Sequence, residues 1–351
     1  MTSYPFSLSL VSARARWFGA WLLVVPLCLI GCRSQPDVEV RETAVYRQAV
    51  QIGQLADESM AVGEPGRAAD LYLRALEHAR RLDDPGLQVM MAERAARALL
   101  ASGRAREVLL ILDEAEIAAA RTGQSAAELV LLRAATALRD GQAEVVLERL
   151  AFLIGNGSSV TAGQRLDALT LAAHAELDLG RIERADGLWR VAIGEASLIG
   201  TPSAAARTLR LEGRLAYATS QLSLAAEAYD LEAERWREAQ AHLPMAQALA
   251  RAANVYAELG ASDRAADRAL RAGLSLRAQR QDGAAAESLH LALAAAHQSA
   301  DRTRERLARQ ALAEVRERLH GPVRVSAEMD SAGASGGVEA ERAEDQSVRA
   351  E

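Results

Sequence analysis

Apolar residues recur at three- and four-residue spacings from about residue 41 to Leu319, and nowhere do they alternate as in a strand. Ala, Leu, Arg and Glu dominate the same stretch, so pattern and composition both predict helix. A slower rhythm lies over the helical one. About every 40 residues a small turn residue returns: Gly63, Gly103, Gly141, Gly180, Ser220, Gly260 and, more weakly, Ala300. Seven positions before each marker sits a small residue (Ala56, Ala96, Ala134, Ala173, Gly213, Ala253), and five after it another compact one (Ala68, Val108, Val146, Ala185, Ala225, Ala265). Four further on the residue is usually large, Tyr72, Leu112, Leu150, Trp189 and Tyr229, with Ala269 as the departure. Three beyond that it is Ala or Leu, except at Glu232. These offsets put small side chains where two antiparallel helices approach most closely, and a bulky one toward the next hairpin. The fold class predicted is all-α, a solenoid of about seven helical hairpins. In the last unit the compact and large positions become Glu305 and Arg309, the polar face that a terminal cap needs.

The two ends read differently from the array. Gly321-Pro322 predicts the stop of the last helix, and residues 321–351, rich in Ser, Gly and acids, predict a disordered tail. At the start, Arg14 and Arg16 precede an apolar run from Trp17 to Ile30, roughly 15 residues and short for a bilayer-spanning helix. Basic start, apolar middle and small residue before the cut are the layout of a secretory signal. Leu29-Ile30-Gly31-Cys32 resembles a bacterial lipobox, which implies that Cys32 carries lipid and that cleavage falls just before it. A plain signal peptide or a membrane anchor is the alternative. The expected division is signal peptide 1–31, tether 32–40, repeat domain 41–320 and acidic tail 321–351. Lipoproteins kept in the inner membrane of Gram-negative bacteria often carry Asp after the lipidated cysteine. Arg33 stands there, and by that resemblance the expected location is the outer membrane, facing the periplasm. Cys28 falls in the segment to be removed, so the mature chain would keep no thiol for a disulfide or a metal site.

Gly63-Arg-Ala-Ala-Asp-Leu-Tyr72-Leu-Arg-Ala75-Leu76 is similar to the second helix of a tetratricopeptide repeat, and Ala252-Ala253-Asn254-Val255-Tyr256 through Gly260 and Ala265 to its first helix and turn. The resemblance covers roughly residues 41–320 and implies a right-handed solenoid whose first helices line a concave, partner-binding groove. It departs in length, because the family's unit is about 34 residues and these units run about 40. The extra residues lengthen either helices or loops. Pro85, Pro202 and Pro244 stand where the family often breaks between hairpins.

Charge narrows the partners. The formal charge is −6, and loss of Arg14 and Arg16 with the signal segment takes it to −8, which disfavours nucleic acid or an anionic membrane surface. Lysine is absent from the chain, which excludes lysine-based nucleophile chemistry. The Gly333-Ala-Ser335-Gly-Gly337 run matches a hydrolase elbow in letters only, since no strand and helix are predicted around it. His290 and His297 lie two helical turns apart, too far for one metal ion, and His174-Ala-Glu176 lacks the cysteines of a deaminase zinc site. No catalytic residue, cofactor or metal site is expected.

One constellation points to binding. Arg207, Arg210 and Arg214 share a face of one predicted helix at i, i+3, i+7. By offset from the turns, Arg97, His174, Arg214 and Asn254 fall at equivalent inward positions of successive hairpins. The resemblance makes Asn254 the counterpart of the family's peptide-clamp asparagine. The clamp's lysines have no counterpart, but a guanidinium can grip a carboxylate through two hydrogen bonds. The expected partner-binding residues are therefore Arg207, Arg210, Arg214, Asn254 and His174, holding an acidic peptide, a chain terminus or an anionic polymer. A solvated face paired with Glu212, Glu234 or Glu258 is the alternative. The function expected is a lipid-anchored adaptor that binds protein partners in envelope assembly or secretion, with a sensor taking a small anion, peptide or cell-wall fragment as the other reading.

Overall fold

A computed structural model describes residues 44–155 and 160–320. The signal segment, Cys32, the tether and the tail with Ser335 lie outside the described residues. Within them every regular element is a helix, and the fourteen run as hairpins: α1 Ala44–Ala61 with α2 Pro65–Arg81, α3 Pro85–Ala101 with α4 Ala105–Thr122, α5 Ala127–Arg139 with α6 Ala143–Ile154, α7 Ala162–Asp178 with α8 Ile182–Ile199, α9 Pro202–Ala218 with α10 Leu222–Glu238, α11 His242–Glu258 with α12 Ser262–Ala278, and α13 Asp282–Gln298 with α14 Arg302–His320.

All seven predicted turn markers adopt left-handed backbone, with φ from +57° at Ala300 to +80° at Gly103. The reason is the helix C-terminus. A left-handed residue after the last turn lets the following N–H reach back to a carbonyl five residues earlier, as Arg104 does to Leu99 at 2.8 Å and Gln221 to Ala216 at 2.8 Å. The junctions between hairpins use the same device at Asp83, Gly123, Gly200, Gln240 and Arg280. Seventeen-residue helices such as α9 and α10, joined by such short turns, account for the long repeat. The extra length thus sits in the helices, and only α5 and α6, at 13 and 12 residues, fall short. Pro85 and Pro202 open α3 and α9 at the first helical position, where a missing N–H costs nothing.

The packing positions hold. Ala56, Ala96, Ala134, Ala173 and Ala253 before the turns, and Ala68, Val108, Val146, Ala185, Ala225 and Ala265 after them, are fully buried. Gly213 shows why one of these is glycine: a Cβ there would lie 2.5 Å from the Tyr229 ring. Trp189 departs, being only half buried. In α14 the buried face is Ala308, Ala311, Leu312 and Val315, while Glu305 and Arg309 bond to each other at 2.6 Å along its flank.

Each helix packs on the next, and beyond that the first helices touch one another: α3 on α5, α5 on α7, α7 on α9, α11 on α13. The array therefore curves with its first helices inward. It curves far enough for the ends to meet. The α1–α2 turn seats on the α12–α13 turn, where a Cβ on Gly63 would lie 2.9 Å from the Gln279 carbonyl oxygen. A cavity of about 460 Å³ at this contact is also lined by the α10–α11 turn at Gln240–Pro244.

Candidate functional site

The inward curve gathers α5, α7, α9 and α11, with the end of α10, around a cavity of about 320 Å³. One wall is apolar, built from Leu131, Leu132, Leu171, Trp236 and Pro244. The other carries charge: Asp167 and His174 from α7, Arg207 and Arg210 from α9, Glu232 from α10 and Arg251 from α11.

Two of the three guanidiniums are committed. Arg207 holds Asp167 at 2.6 Å, and Arg251 holds Glu232 at 2.7 Å while lying 5.6 Å from the centre of the Tyr229 ring. Glu232, 1% exposed, also accepts from Trp236 Nε1 at 3.1 Å, but its Oε2 is buried with no hydrogen-bond partner. Arg210 forms no ion pair among the described residues. It is an exposed side chain that also lines the cavity. Partial desolvation by the surrounding walls, with repulsion from Arg251 outweighing attraction from Glu232, pushes the guanidinium down to about 10.

His174 is 8% exposed and its Nδ1 has no partner. Burial first, then Arg214, Arg210 and Arg251, drive its pKa well below the usual value, so the ring is neutral at pH 7. Desolvation raises Asp167, opposed by the Arg207 charge.

The five candidate binding residues thus separate. His174, Arg207 and Arg210 line the cavity together. Arg214 turns to Asp178 of α7 at 2.7 Å, and Asn254 lies in a smaller neighbouring hollow between α11 and α13 with Glu287 and Ser288. Arg97 likewise pairs with Glu128 of the next inner helix. The acids that hold Arg207 and Arg214 are not Glu212, Glu234 or Glu258 but residues one hairpin earlier, because ion pairs here run across adjacent first helices. Glu234 bonds instead to Arg237, and Glu258 to the Tyr217 hydroxyl at 3.0 Å.

Sequence reasoning missed Arg251 and gave Glu232 no partner. A signal existed. Nine residues before the turn, where Arg251 stands, four other hairpins carry Leu132, Leu171, Leu211 and Leu291. Twelve after it, where Glu232 stands, the others carry Ala or Leu. Opposite charges at two apolar repeat positions of neighbouring hairpins mark a buried ion pair.

No family model matches the sequence, and neither does any curated protein. Among solved structures the chain is similar to the crystal structure of BtubC (BKLC) from P. vanneervenii, at 14% identity over 86% of this chain and 100% of that one, with a TM-score of 0.41. The likeness is too loose to lend this chain a lineage or a partner. What stands is the architecture itself, an all-α solenoid-like array of sequentially packed hairpins, a form suited to protein interaction.

Proposed function

We propose that this chain is a lipid-anchored adaptor of the bacterial cell envelope, tied to the outer membrane through Cys32 and presenting a tetratricopeptide-like array to a protein partner in the periplasm. The observation that carries the binding half is the inward face, where first helices converge on a guanidinium, Arg210, that forms no ion pair among the described residues. An acidic segment or a chain terminus supplies that charge. The anchoring half rests on the basic start, apolar run and Leu29–Cys32 motif. Photo-cross-linking in intact cells from probes at Arg207 and Asn254 tests the first half. One discrete protein adduct, lost on Arg210→Glu, is expected; an adduct pattern indifferent to that reversal sinks it. Metabolic labelling with a fatty acid tests the second, with the label expected on the chain and absent in Cys32→Ser.

A second reading, a receptor for a small ligand, is favoured by one observation: charged and apolar side chains from four first helices and α10 line one half-open hollow of about 320 Å³.

A further inference from the structure

We propose that the cavity between α5, α7, α9 and α11 binds a compact organic acid with a single carboxylate and an apolar body, the carboxylate received by Arg210 and the body resting on Leu131, Leu171 and Trp236. This deepens the small-ligand reading and rests on it.

Charge selects the class. With His174 neutral, three guanidiniums face two carboxylates, which leaves one positive charge in excess, and it resides on Arg210. Arg210 is exposed and makes no ion pair among the described residues, so its guanidinium is free to take a carboxylate through two hydrogen bonds. A doubly charged phosphate fits worse, because Asp167 and Glu232 line the same space and only one cation is uncommitted. Most of the remaining lining is hydrocarbon and indole, with Thr170 and Gln247 as its polar members, which suits an apolar body better than a polyol. The volume, about 320 Å³, lies at the small end of ligand pockets, roughly 300–1,000 Å³.

Glu232 marks this lining as more than packing. It is more than nine-tenths buried with Oε2 unpartnered, at a position where the other hairpins carry small or apolar residues after the turn, such as Ala75, Ala115 and Ala192. His174 of the same lining keeps a buried Nδ1 without a partner.

The test uses the full chain with 5-fluorotryptophan incorporated, because Trp236 lines the cavity and Trp189 does not. The chain has four tryptophans, so the Trp236→Phe and Trp189→Phe variants assign these two ¹⁹F lines. Phenylacetate is the probe, with phenylacetamide and phenethylamine matched to it in shape. Phenylacetate is expected to shift the Trp236 line saturably and leave Trp189 in place, while the amide and the amine do neither. Arg210→Gln should raise the apparent Kd at least tenfold. The double variant Leu131→Phe with Leu171→Phe, which fills the hollow without touching a charge or adding a tryptophan line, should abolish binding, and an unmoved Trp189 line reports that each variant is folded. If the amide shifts Trp236 with the same Kd, or Arg210→Gln binds as before, the hollow is a ligand site but the carboxylate class is wrong. If none of the three probes moves Trp236, the small-ligand reading falls as a whole.

Discussion

Glu232 is the most deeply buried charged side chain among the described residues, and burying a carboxylate is unfavourable by several kcal/mol until a partner compensates it. Arg251 and Trp236 supply that compensation from one side only. Removing one partner of such a pair strands the other, whereas replacing both by apolar residues does not. Glu232→Ala and Arg251→Leu are each expected to destabilise the chain by about 2–4 kcal/mol, and the double variant to return close to the parent, as read by urea denaturation. Additive losses would mean the pair is not coupled. His174 makes a claim of opposite character, through pH. Its folded pKa is depressed, so below the unfolded value of about 6.5 the unfolded chain binds a proton that the folded chain refuses. Stability is therefore unaffected above that pH and falls as pH drops below it, by at most about 1.4 kcal/mol per pH unit for one proton. The ring faces Arg210 and Arg214 of α9 and Arg251 of α11, which deepen the effect. His174→Gln is expected to flatten the fall between pH 6.5 and 5 in denaturation midpoints, and an unchanged slope would assign it to other groups.

At the scale of elements, the sequence showed almost everything that local physics decides. Turn residues, small contact positions and apolar faces are dictated within a few residues of one another, so Gly63, Ala68 and Tyr72 could be read directly. The long repeat could not be apportioned between helix and loop, because alanine-rich helices continue without a signal until a left-handed residue stops them. Those stops are not all glycine. Ala300 sits at φ +57° and Ser220 at +60°, conformations that crowd a Cβ against the backbone. Ala300→Gly is expected to stabilise the α13–α14 hairpin by about 0.5–1 kcal/mol despite glycine's greater freedom when unfolded, visible as a raised Tm. A lowered Tm would mean that the strain is already absorbed elsewhere. The α14 face illustrates the limit of reading by offset. The polar pair at Glu305 and Arg309 was legible, but the burial of Ala308, Ala311 and Val315 beside Leu312 was not, since among the described residues no further hairpin follows to repeat the offsets of the others.

Curvature belongs to the whole molecule, and no single repeat encodes it. It sums small packing differences over seven hairpins, which is why the cavity, and the meeting of α5 with α11 across it, escaped the sequence while Arg210 on its inner face did not. The contact that shows the curve best is between the first turn and the α12–α13 turn. Gly63 and Gly103 separate its contribution from local strain. Both sit near φ +80°, but a Cβ on Gly103 meets nothing within 4 Å, whereas one on Gly63 meets Gln279. Each alanine variant is expected to lose about 1 kcal/mol from the left-handed conformation. Gly63→Ala alone should also speed amide hydrogen exchange at residues 279–281, on the far side of the array. Equal exchange in both variants would show that the ends stand apart in solution.

That same contact changes how the protein comes undone. An open stack of hairpins behaves as a one-dimensional chain, losing order from either tip because a terminal unit has only one neighbour. Here the first hairpin has a second neighbour in the α12–α13 turn, supplied by chain from the other end of the sequence. Among the described residues the α14 tip, held by α12 and α13, has no such partner from the far end of the array, so fraying acquires a direction: it starts at α14 and reaches the first hairpin last.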